Sequence, residues 1–172
     1  MRTAHGPYAE WVSWLDAFAR GEDLPSRHLT VVDEQLGPHM VGRLLDRLAA
    51  AFRARADRWT DTLRRHLDVG PLGTPTELAA ILVAARGRLR PLTALAADPR
   101  LPEEVRTALS TALRDLTGQA QDSLEQAVRR RPGADRLIAT VRENRLTAVP
   151  PPAPPMASPG APPPPVGRRV IL

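Results

Sequence analysis

Residues 38–69 read PHMVGRLLDRLAAAFRARADRWTDTLRRHLDV, and their apolar positions decide the fold. Val41, Leu45, Leu48, Phe52, Ala56, Trp59, Leu63 and Leu67 recur three or four residues apart. A strand would alternate every second residue; a helix brings every third or fourth residue onto one face. The spacing therefore predicts a single helix of roughly thirty residues, about 45 Å long at a 1.5 Å rise. Its opposite face carries Arg53, Arg58, Arg64 and Arg65 among acids such as Asp57 and Asp61. A helix with one apolar stripe must lay that stripe on other helices or a sheet, so the rest of the chain has to supply the cover.

It supplies further helices. Upstream, Pro7 suits a first helical position, and Trp11, Trp14, Leu15 and Phe18 share one face of a helix running to about Arg20. That aromatic stripe is read as core that docks the first helix on the bundle. The following "SRHLTVVDEQLG" fits either a short helix or a packed extended segment, so residues 24–37 are left open. Downstream, Thr74, Pro75 and Glu77 spell a capping box with proline at the first helical position. The helix it opens carries Leu78, Ile81, Leu82 and Ala85, and Pro91 is expected to kink or end it, because proline lacks the backbone donor. After Leu101 and Pro102 comes a long helix with Val105, Leu109, Leu113, Leu116, Ala120, Leu124 and Val128 inward, interrupted at Pro132 and Gly133. A last short helix spans Ala134 to about Leu146, with Leu137, Ile138 and Val141. The expected fold is all-α, an antiparallel bundle of four to five helices filling residues 1–146.

Residues 147–172 break the pattern. Ten of the sixteen residues from Pro150 to Pro165 are proline, which predicts a disordered, polyproline-type spacer of ~50 Å at ~3.1 Å per residue. Entropy alone explains a solvated spacer of small and polar residues. It does not explain the final Gly167, Arg168, Arg169, Val170, Ile171 and Leu172, where strong β formers follow a guanidinium pair. Such a sextet suits strand addition or aliphatic anchoring in a partner's groove, and these six residues are the expected protein-binding motif. The layout is similar to that of encapsulin cargo proteins, with their flexible linkers and terminal loading peptides, and of bacterial proteasome activators, which are helical bundles with mobile ends. The specific motifs of both are missing: there is no Ser-Leu-x-Ile-Gly run and no penultimate tyrosine.

Composition narrows the chemistry. All twenty-four basic residues are arginine, and cysteine is absent. That removes Walker-type phosphate loops, Schiff-base lysines, disulfides and thiolate sites. No serine sits in a G-x-S-x-G elbow and no histidine follows an acid by three residues, as a di-iron bundle requires. His28, Asp33, Glu34 and His39 could assemble a metal site only from distant positions and read better as solvated or helix-terminal groups. The expectation is a non-enzymatic protein with no cofactor and no metal. Its start lacks the order of a signal peptide and no apolar run reaches the length of a membrane span, so the expected setting is cytoplasmic, away from membranes.

Net charge is +5, unevenly spread. Met1–Leu36 holds three arginines against six acids (3 − 6 = −3), while the remainder holds twenty-one against thirteen (21 − 13 = +8). An acidic front end and a basic body attract each other, or an acidic partner. Arg53, Arg55, Arg58, Arg64, Arg65, Arg129, Arg130 and Arg131 are the candidate nucleic-acid contacts, because the guanidinium fork matches phosphate oxygens. Against that role, all six aromatic residues lie within the first fifty-nine positions on core-like faces, leaving no stacking platform. Two functions follow: an adaptor or assembly factor recruited to a larger protein through its C-terminal peptide, or a basic nucleic-acid-associated protein. Self-association through the long helix is a further arrangement the pattern allows.

Overall fold

The computed structural model describes residues 6–23, 26, 29–32, 36–69 and 73–147. Among them are five helices and no strand: α1 (Pro7–Arg20), α2 (Pro38–Val69), α3 (Pro75–Ala96), α4 (Glu103–Arg129) and α5 (Ala134–Glu143). The all-α reading holds. The tail from 148 onward lies outside the described residues, as do seven of the fourteen positions left open between 24 and 37.

Each helix begins or ends where its sequence removes or satisfies backbone groups. Pro7 opens α1, and Gly21, at φ 94°, closes it. Gly21 donates its N–H to the Phe18 carbonyl (3.0 Å) and Glu22 to the Ala17 carbonyl (3.1 Å), a Schellman arrangement that a side chain at Gly21 would strain. At the start of α3 the Thr74 hydroxyl accepts from the Glu77 N–H (3.3 Å), and the Glu77 carboxylate accepts from the Thr74 N–H (3.1 Å). The capping box read from sequence is therefore formed in both directions.

Three differences from the sequence reading have physical causes. Leu44, fully buried, occupies the core position expected for Leu45, which is half-buried. Both leucines fit a three-to-four spacing, and the placement of α1 decides which turns inward. Pro91 does not end α3, which continues to Ala96. The donor lost is the one for the Gly87 carbonyl, and Gly87 is exposed and bare of side chain, so water can serve that carbonyl. The last helix stops at Glu143, short of Leu146. Leu146 is nonetheless 2% exposed, held beyond the helix end by its N–H to the Gln121 side-chain carbonyl (3.3 Å).

Helices α2, α3, α4 and α5 follow one another as antiparallel neighbours. Trp59 on α2 donates its indole N–H to the Ala85 carbonyl on α3 (2.9 Å), and Gln121 on α4 donates to the Val141 carbonyl on α5 (3.1 Å). Helix α1 lies alongside α2 in the same direction, because the chain doubles back first. Trp11 donates to the Thr30 carbonyl (3.0 Å), placing the returning segment beside the start of α1. One core runs through all five helices, from Trp11, Leu15 and Phe18 through Leu48, Phe52 and Trp59 to Leu82, Leu92, Leu124 and Val141. Trp11, Trp14 and Phe18 are core, as the stripe predicts; Trp14 meets Trp11 edge-on and stacks on Phe18.

Candidate functional site

The arginines singled out from sequence fall into three environments. Arg55 points inward. Its guanidinium donates to the carbonyls of Phe18 (3.1 Å) and Glu22 (2.9 Å) and to the Asp23 carboxylate (2.6 Å). It holds the end of α1 against α2, with Arg47 and Asp16 adding an exposed ion pair at 3.7 Å nearby. The attraction between an acidic front and a basic body takes this local form. Arg55 is thus engaged within the bundle. Nothing in the local sequence marks it, since its partners lie 32 to 37 residues away and two of them are main-chain atoms.

Arg53 and Arg58 are exposed on the middle of α2. Arg64 and Arg65 lie near its C-terminal end, and Arg129, Arg130 and Arg131 lie at the end of α4. The fold brings these last two groups together, because the Arg131 guanidinium donates to the Leu67 carbonyl (3.2 Å). Two helix C-termini therefore meet under one set of arginines. Cations at such ends offset the partial negative charge of free carbonyls, an effect of about 0.3–1 kcal/mol each at exposed sites. Acids share the neighbourhood: Arg64 faces Asp61 at 3.9 Å, and Arg129 faces Glu125 at 3.9 Å. The cluster is a mixed surface with a local structural use: among the described residues Arg65, Arg130 and Arg131 are in no ion pair, although Arg65 donates to the Asp61 carbonyl and Arg131 to the Leu67 carbonyl.

Beside that cluster, a cleft of about 390 Å³ opens between α2 and α4, lined by Leu63, Leu67, Leu116 and Ala120 with the Thr60 and Ser123 hydroxyls. A second cleft, of about 470 Å³, lies between α1 and α3 over Trp14, Phe18, Pro91, Ala94 and Leu95. Both linings also carry charged side chains, Arg64 and Asp68 in the first and Glu22, Asp23, Arg90 and Asp98 in the second, and among the described residues no hydrogen bond joins a hydroxyl to a carboxylate in either.

A structural clip missed by the sequence reading centres on Arg100. It forms a two-point ion pair with the buried Asp98 and donates to the Ser26 carbonyl and hydroxyl, while its own carbonyl accepts from the Val32 N–H (3.2 Å). The turn between α3 and α4 thereby holds the segment that carries the buried Leu29 and Val32. Asp98 and Arg100 stand two residues apart in the loop, but Ser26, their partner 74 residues from Arg100, gives no local signal of the clip.

Among the described residues no three histidine, cysteine, aspartate or glutamate side chains come close enough to hold a metal ion. His39 is exposed, and His28, Asp33 and Glu34 lie outside the described residues. No described helix is long and apolar enough to cross a membrane. The partner-binding sextet Gly167, Arg168, Arg169, Val170, Ile171 and Leu172 lies outside the described residues. No protein family, no curated protein and no solved structure matches the chain.

Proposed function

We propose that this protein is a non-enzymatic adaptor or assembly factor, a helical bundle recruited to a larger protein partner through its C-terminal peptide. The observation that carries the reading is the sequence GRRVIL at residues 167–172, placed after a run in which ten of sixteen residues are proline. Val170, Ile171 and Leu172 are the anchors, Arg168 and Arg169 meet an acidic rim, and the proline run limits the entropy lost on binding. On the bundle side, Leu146 and its bond to Gln121 give the tail a fixed point of departure. A cytoplasmic setting belongs to the same proposal and rests on the absence of cysteine.

The test is affinity purification from the native host with intact bait and with bait lacking residues 167–172. The partner is expected with the first and not the second, while helicity and melting temperature stay the same. Partner retained by the shortened bait refutes the reading.

The meeting of Arg64 and Arg65 with Arg129, Arg130 and Arg131 at one end of the bundle favours a second reading, binding to nucleic acid. It predicts retention on heparin and affinity for random duplexes that falls steeply with salt. Flow-through at low salt would exclude it.

A further inference from the structure

Helix α3 is apolar on two sides. Its inner face buries Leu78, Leu82, Ala85, Leu89, Leu92 and Leu95. Its outer face leaves Ala80, Val83, Ala84 and Gly87 exposed, and Val83, at 53%, is the most exposed large apolar side chain among the described residues. Helices apolar all round are normally covered all round. This face leads directly into the cleft between α1 and α3, where Pro91 and Ala94 stand over the stacked Trp14 and Phe18.

Charge along the outer face of α3 has one sign. From residue 78 to residue 97 the only charged side chains are Arg86, Arg88 and Arg90, and none of them is in an ion pair among the described residues. Arg86 and Arg88 fall on opposite flanks of the apolar strip at 100° per residue, and Arg90 borders it beside Val83, on the Arg86 side. Acids do line the cleft end, but Glu22, Asp23 and Asp98 are held by Arg20, Arg55 and Arg100. The arginines along α3 have no such counterweight.

Sign and apolarity together select the occupant. A second copy packed on the same face would set three arginines against three. The chain's own tail would bring Arg168 and Arg169 to the same cations. Nucleic acid would satisfy the guanidinium groups and leave Val83 and the cleft in water. We infer that the outer face of α3, with the adjoining cleft, docks an acidic amphipathic helix of a protein partner. Apolar residues at i, i+3 or i+4, and i+7 cover the strip, one large apolar side chain enters the cleft, and flanking Asp or Glu meets Arg86, Arg88 and Arg90. This contact is independent of the C-terminal peptide.

The test uses the full chain as bait for a phage-displayed library of random peptides, beside two variants, R86E/R88E/R90E and Val83→Asp. Circular dichroism establishes that both variants keep their helicity. Enriched peptides are expected to be acidic with helical apolar spacing, and to bind the triple variant about tenfold or more weaker than the parent. Failure to enrich any sequence overturns the inference, as does enrichment of neutral or basic peptides or equal binding to all three baits. Sedimentation showing a parent dimer that Val83→Asp dissociates makes this face a self-interface and overturns it. Random duplex DNA binding the parent but not the triple variant does so too.

Discussion

The Arg55 guanidinium donates to the Phe18 carbonyl at 3.1 Å and lies 4.8 Å from the centre of the same residue's ring. One side chain thus closes the end of α1 by hydrogen bond and by cation–π contact. The Asp23 partner is 73% exposed, so the ion pair itself contributes only about 0–1 kcal/mol, and the carbonyl bonds and stacking supply the rest. Arg55→Lys is expected to destabilise by about 1–3 kcal/mol, because a point charge cannot replace the planar fork. Asp23→Asn is expected to cost about 1 kcal/mol or less. Thermal melts of the two variants compare them; an equal loss would mean that the ion pair governs the contact.

Trp59 makes a smaller but cleaner case. Its indole N–H reaches the Ala85 carbonyl at 2.9 Å from a side chain only 5% exposed. Trp59→Phe keeps most of the packing and removes the donor, which costs roughly 1–2 kcal/mol. Trp59→Ala also leaves a cavity between α2 and α3 and costs about 3–5 kcal/mol. Denaturant midpoints should rank the parent, the Phe variant and the Ala variant in that order.

The capping box at Thr74 and Glu77 is reciprocal, so its two halves should not add. Thr74→Ala is expected to cost about 1 kcal/mol. The double variant with Glu77→Ala is expected to cost less than the sum of the two single variants. A double-mutant cycle by chemical denaturation measures the difference.

Leu146 is the last buried side chain among the described residues. Leu146→Ala removes a leucine that is 2% exposed, and is expected to destabilise by about 2–5 kcal/mol. The proline-rich composition of residues 148–172 predicts a spacer without packed contacts, so deleting them is expected to leave the melting temperature within about 2 °C. Differential scanning calorimetry of both proteins checks the contrast.

Helix existence was legible because Pro7, the Thr74–Glu77 box and the leucine stripes act within a turn or two of themselves. What sequence could not provide is every feature whose partner is remote. Leu44 and Leu45 are neighbours with equal claims to the core, separated only by where α1 lies. Pro91 marks a lost donor, but whether a helix tolerates it depends on the exposure of Gly87, four residues earlier. Arg55 and Arg131 sit in arginine-rich runs indistinguishable from solvated faces, and only the fold reveals carbonyls in front of them. The candidate docking face on α3 was hidden for the opposite reason. Its inward leucines explain the helix so well that the second apolar side passes unnoticed.

All six aromatic side chains lie on α1 and α2. Helices α4 and α5 have none, although Leu124 and Val141 join the same core. Tryptophan emission therefore reports on the N-terminal half of the bundle, while far-ultraviolet dichroism reports on every helix. Superimposable unfolding curves from the two signals would mean that both halves melt as one cooperative unit. A dichroic loss that precedes the fluorescence change would identify α4 and α5 as the part that opens first, with the tail's point of departure at Leu146 opening with them.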